Sequence, residues 1–182
     1  MNEPKSRSCG SCFACCIFLG IAELKKYPTQ NCKHLDGSLG PNTRCSIYSS
    51  RPEPCSRYRC GYIDGIGSDE SFRPDNSGVL ITTYPDPDKP FPLFHTTIVI
   101  CDAKKAGTIN DGKLSQIIKL ILETELCTAL NVVNYSTLEV NHFRDGKIYL
   151  GRLIKTPEYE GFKFVAENKP FGSYMVLSME QK

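Results

Sequence analysis

"CGSCFACC", Cys9–Cys16, sets four cysteines into eight residues. How those thiols are used decides whether the first third of the chain is a disulfide scaffold, a reactive segment or a metal-bound module. Ten cysteines in 182 residues fall short of the density typical of disulfide scaffolds. Eight of them, Cys9, Cys12, Cys15, Cys16, Cys32, Cys45, Cys55 and Cys60, lie in the first 60 residues, and only Cys101 and Cys127 lie beyond. The opening "MNEPKSRSCG" has two cations but no apolar run after it, so it does not read as a signal peptide. The longest apolar stretch, "CCIFLGIA", is too short to span a bilayer. A cytoplasmic chain with reduced thiols is therefore expected. Metal binding then takes precedence over four disulfides.

Zinc takes four sulfur or nitrogen ligands in a tetrahedron, and a C-x2-C pair supplies two from one short loop. Cys9/Cys12 and Cys12/Cys15 both have that spacing. Apolar Ile17, Phe18, Ile21 and Leu24 predict a helix over 9–26, ended by the cationic "ELKKYP" and Pro28. On such a helix the four thiols would share one arc of about 120°. Adjacent Cys15 and Cys16 do not suit one mononuclear ion, so two metals or a multinuclear centre follow. Cys32, Cys45, Cys55 and Cys60 supply the partner thiols, and eight thiols match two four-thiolate sites. Spacing does not say which cysteine goes with which ion. Two Zn2+ ions are favoured. The alternative is iron or a four-iron, four-sulfur cluster, since C-x2-C-x2-C-C approaches the ferredoxin run but lacks its x3 gap and following proline. His34 is an alternative nitrogen ligand, and Arg51 a donor to thiolates or carbonyls beside them.

Residues 1–60 carry nine Lys/Arg against four Asp/Glu, a balance of +5, and 61–182 carry thirteen against sixteen, −3. A basic half invites a nucleic-acid reading. Two zinc ions bound by eight thiolates would add four negative charges and nearly cancel it, so nucleic acid is not expected. Neither is a membrane.

Residues 28–78 are rich in proline, glycine and asparagine, and a run of that length needs a tie such as metal ligation. "VLITTY" (79–84) and "FHTTIVI" (94–100) predict strands around a proline-stiffened turn. "KLSQIIKLILETELCTAL" (113–130) predicts one long helix with Asp111 as its N-cap. "NVVNY" predicts a strand, "LEVNHF-RDG-KIYLGRLI" a hairpin, and "GFKFVAE" a last strand. The fold class expected is α+β. A Cys-rich, metal-bound module (1–64) packs on a small mixed or antiparallel sheet with one long helix (65–182). Cys101 and Cys127 are expected to be buried, inert thiols in a strand and in the helix.

"CGSCFACC", then "NCKHL", then "RCSIYSSRPEPCSRYRC" resembles the YkgJ-type cysteine-cluster family, described as zinc- or iron-chelating proteins with a CxxCxxCC motif. The family pattern is matched by Cys9, Cys12, Cys15 and Cys16, then Cys32, then Cys45, Ile47, Tyr48, Arg51, Pro52 and Cys55, and last Tyr58 and Cys60. "FRPDNSGVLI" (72–81) resembles the stretch that follows in full-length members. Asn31 stands where relatives often have an aromatic. The resemblance implies metal chelation. Flagellin lysine methylases, with a similar motif, carry an iron–sulfur cluster, so the motif leaves the metal open. Two functions follow as expectations. One is a metal-binding protein with a structural centre and a protein partner. The other is an iron-dependent enzyme or redox protein acting on a peptide or small substrate.

Overall fold

The computed structural model describes residues 7–36, 44–86, 88, 92–144, 146–155 and 162–173. Its body is a mixed sheet of six strands in sequence order: β3 (Val79–Pro85), β4 (Phe94–Ile100), β5 (Cys127–Asn134), β6 (Glu139–Arg144), β7 (Lys147–Lys155) and β8 (Phe162–Ser173). The strands before it, β1 (Leu35–Asp36) and β2 (Arg44–Cys45), form a separate antiparallel pair. β4 and β5 run parallel, and every other neighbouring pair is antiparallel. A parallel neighbour needs a crossover. The chain makes it with α4 (Ala103–Ala106) and α5 (Gly112–Leu122). The class is α+β, as expected.

Each strand pair follows from its residues. Val79, Ile81, Ile98, Leu130 and Val132 alternate onto one face, where Ile81 lies opposite Ile98 and Ile98 opposite Val132. All five are at most 1% exposed, in one core cluster with Leu114, Ile117, Ile118 and Ile121 of α5. The apolar stripe of α5 therefore reaches the core as its spacing predicts. Asp111 caps the helix, its carboxylate accepting from Gly112 N at 2.6 Å.

Two helix expectations are corrected. The helix over 113–130 ends at Leu122, and Cys127–Leu130 belong to β5 instead. Thr124 and the left-handed Glu125 (φ 56°) break the helix between them. Cys127 is thus a strand thiol. The helix over 9–26 shrinks to α1, Ala14–Phe18. Gly10 takes φ 54° in a turn closed by Cys12 N on Cys9 O at 2.8 Å, and Ala22–Leu24 forms a separate 3-10 turn. The shared helical arc for Cys9 and Cys12 disappears with it.

Among the described residues from 31 to 77 regular structure is short: β1, β2, α2 (Glu53–Arg57), α3 (Pro74–Ser77) and two 3-10 turns. This loop-rich stretch joins the sheet rather than standing apart. Ala14, Cys60, Tyr62 and Phe72 share the core cluster with the strands. Gly61 donates to Ile81 O at 2.8 Å, so the turn after Cys60 lies along edge strand β3. Tyr58 reaches the same strand, its hydroxyl 3.0 Å from Thr82 Oγ1. Among the described residues no helix is long and apolar enough to cross a membrane.

Candidate metal centre

Seven of the eight N-terminal cysteines (Cys9, Cys12, Cys15, Cys16, Cys32, Cys45 and Cys55) line one cavity of about 260 Å³. Cys60, buried, stands behind Cys12 and Cys9. All ten thiols of the chain are free. The local fold explains the convergence. The 9–12 turn folds Cys9 back towards Cys12, and α1 presents Cys15 and Cys16 one residue apart. Cys32 N donates to Cys16 O at 3.0 Å, which seats the 32–36 segment against α1. The β1–β2 pairing sets Leu35 opposite Cys45. Pro52 and Pro54 begin α2, which carries Cys55.

Several of the thiols are electrostatic neighbours of one another. Cys15 faces Cys9 and Cys12, Cys12 faces Cys60, and Cys60 faces Cys9. Cys55 faces Cys16, Cys32 and Cys45. Cys15 and Cys16 act on each other: the Cys16 sulfur raises the Cys15 pKa, with burial adding to it, and the Cys15 thiol lowers that of Cys16. Adjacent cysteines on a helix point about 100° apart.

The backbones of Ala14 and Asp75 lower the Cys12 pKa and those of Ile63 and Tyr62 lower that of Cys60, while burial opposes both more strongly. Burial pushes Cys12 up to about 11 and also raises Cys55 and Cys60. A buried thiol suits a metal, which removes the proton and supplies the charge. A set of four soft sulfurs suits zinc or iron. Among the described residues, no three His, Cys, Asp or Glu side chains form a group that could hold a metal ion.

The remaining candidates fall out as follows. His34 lines the cavity. Arg51 lines it too, donates to Tyr48 O at 2.9 Å and lies over the Tyr48 ring at 3.7 Å, so a carbonyl takes its hydrogen bond. His95 pairs with buried Asp86 at 3.2 Å, and His142 meets Asn131 at 2.6 Å across β5 and β6, both away from the thiols. Cys127 donates to Ala129 O at 3.3 Å. Cys101 has Cys12 as an electrostatic neighbour, and burial pushes its thiol up to about 12. Sequence reading treats Cys101 as an isolated core thiol and misses this proximity. Its position just past β4 is the signal, since Gly78 and Cys101 are joined backbone to backbone at 2.8 Å beside the start of β3. Lys26, buried at 5% exposed, is the other residue missed.

No protein-family model, curated protein or solved structure matches the chain.

Proposed function

We propose that the protein binds two metal ions through eight thiolates, Cys9, Cys12, Cys15 and Cys60 around one and Cys16, Cys32, Cys45 and Cys55 around the other. The observation that carries this is one cavity lined by seven of the eight thiols, with Cys60 an electrostatic neighbour of Cys9 and Cys12. Zinc is favoured because two closed sets of four thiolates are its structural coordination. The same positions carry the resemblance to the YkgJ-type family, to which we assign the chain as a proposal. Bound metal would tie the loop-rich 28–78 stretch to α1 and so to the sheet. It would also balance the cationic excess of the first 60 residues. A cytoplasmic setting agrees with free thiols.

A second reading is favoured by the cavity wall. Leu19, Ile21, Leu24, Leu35 and Ile47 line it beside the sulfurs, which gives an apolar recess of the kind small ligands use. On that reading the centre holds iron or an iron–sulfur cluster and acts on a peptide or small substrate. Elemental analysis with a visible spectrum, on protein purified anaerobically, separates the readings. About two zinc per chain without colour supports the first. Iron with sulfide and broad absorption near about 400 nm supports the second. Protein that holds neither metal, and takes up none when reduced and titrated, refutes both.

A further inference from the structure

One guanidinium gathers the loop that follows Cys60. Arg7 Nη1 donates to the carbonyl oxygens of Tyr62 at 2.8 Å and Ile66 at 3.2 Å, and Arg7 Nη2 donates to that of Gly67 at 2.7 Å. The central carbon of the guanidinium lies over the Tyr62 ring, 5.0 Å from its centre. Among the described residues no carboxylate lies within ion-pair distance of Arg7, and Asp64 of the same loop is taken by Arg59 at 2.6 Å. The charge is therefore met by three carbonyls and an aromatic face.

The loop's own bonds set those groups in place. Asp64 N donates to Cys60 O at 3.1 Å, Gly65 N to Tyr62 O at 3.2 Å and Ile66 N to Gly61 O at 2.8 Å. Gly65 at φ 103° and Gly67 at φ 85° take a backbone conformation that favours glycine. A Cβ on Gly67 would stand 2.1 Å from Phe72 Cγ, so the buried Phe72 ring closes one side of the loop. Tyr62 is 5% exposed, which fixes its ring. A guanidinium suits this frame, because it is planar, carries its donors in a fork, is weakly hydrated and stacks on rings. An ammonium is a compact, strongly hydrated charge and suits it less.

We propose that the 60–67 loop is a guanidinium-binding cradle, filled in this chain by its own Arg7. Arg7 stands two residues before Cys9, and Tyr62 two residues after Cys60. The clasp therefore fastens the segment that opens the cysteine run to the segment that ends it. Arg7 is a positioning residue. The inference stands apart from the two-metal reading, since none of these contacts involves a thiol.

The test compares wild type and Arg7→Ala as reduced, metal-free protein, with methylguanidinium as the probe. Urea unfolding should give the variant a lower midpoint. Millimolar methylguanidinium should raise that midpoint again and leave the wild type unmoved, because Arg7 already fills the cradle. Methylammonium at the same concentration should not restore it. In amide NMR spectra of the variant, the shifts that methylguanidinium causes should centre on residues 61–67. Alkylation of buried Cys60, read by peptide mass, should run about tenfold faster in Arg7→Ala, the factor that one hydrogen bond to a charged group supplies. It should slow again with methylguanidinium. Equal midpoints for variant and wild type, rescue by both cations alike, or shifts scattered over the sheet would overturn the inference. If Arg7→Ala does not fold, judged by circular dichroism, Arg7→Gln carries the same titration.

Discussion

Gly61→Ala tests how the thiol-bearing segment is joined to the sheet. Gly61 follows Cys60 and lies against β3, where a Cβ would stand 2.7 Å from Ile66 Cδ1 and 2.8 Å from both Cβ and Cγ2 of Ile81. Ordinary carbon–carbon contact begins near about 3.5 Å. Ile66 Cδ1 can swing aside, but Ile81 is branched at the clashing carbon and 1% exposed, so no rotamer relieves it. The turn must lift from β3 by roughly 0.7 Å to restore contact distance. That stretches the 2.8 Å bond from Gly61 N to Ile81 O past useful length. Overpacking costs about 1–3 kcal/mol and the lost hydrogen bond about 1 kcal/mol more. We expect a loss of about 2–4 kcal/mol. Urea unfolding of the reduced, metal-free protein reads it, as a lower midpoint at unchanged slope. A loss below about 0.5 kcal/mol, the range of inert surface changes, would refute the docking of Cys60 and its turn on the edge strand.

Other perturbations probe other links. Ile117→Ala empties a fully buried position on α5 and should cost about 2–5 kcal/mol in the same assay. Tyr58→Phe removes the hydroxyl that meets Thr82 Oγ1 at 3.0 Å and should cost about 1 kcal/mol, with metal content unchanged. The metal-free protein should weaken in alkali. Burial raises Cys12 from 9.0 to about 11 and Cys101 from 9.0 to about 12. Both thiols are neutral when protonated and keep the proton longer in the folded state. Their contribution is therefore complete below pH 9 and lost as pH rises through 11 and then 12. The Cys12 part alone is about 3 kcal/mol. Cys101→Ala should reduce that loss, measured by urea midpoints from pH 8 to 12. A midpoint independent of pH would contradict the burial of both.

The body of the fold is legible in the sequence because β-branched runs and one amphipathic stripe specify it. "VLITTY" and "FHTTIVI" pair as expected, Asp111 caps α5, and the Glu139–Arg144 and Lys147–Lys155 hairpin forms; Asp145 of its turn lies outside the described residues. The end of α5 is not legible. Leu126 and Ala129 fit the helical period equally well, and the turn at Thr124–Glu125 has neither glycine nor proline to announce it. The thiol segment fails for a related reason. Ile17, Ile21 and Leu24 keep helical spacing, but Gly10, Gly20 and the Ile21–Lys26 bridge cut the helix to five residues. The run of eight cysteines is plain in the sequence, but the neighbourhood of Cys60 with Cys9 and Cys12 is not, since the turn after Cys60 is set by its backbone bond to β3. Lys26 reads as an ordinary cationic helix end, and only the left-handed turn at Lys25 carries it inward.

Native mass spectrometry of the reduced protein after metal loading tests the central claim most directly, with Cys55→Ser and Cys60→Ser measured beside the wild type. The account predicts two metal ions on the wild type and one on each variant, since the proposal places the two cysteines around different ions. A wild-type chain with no metal, or the loss of both ions from either single variant, would contradict it.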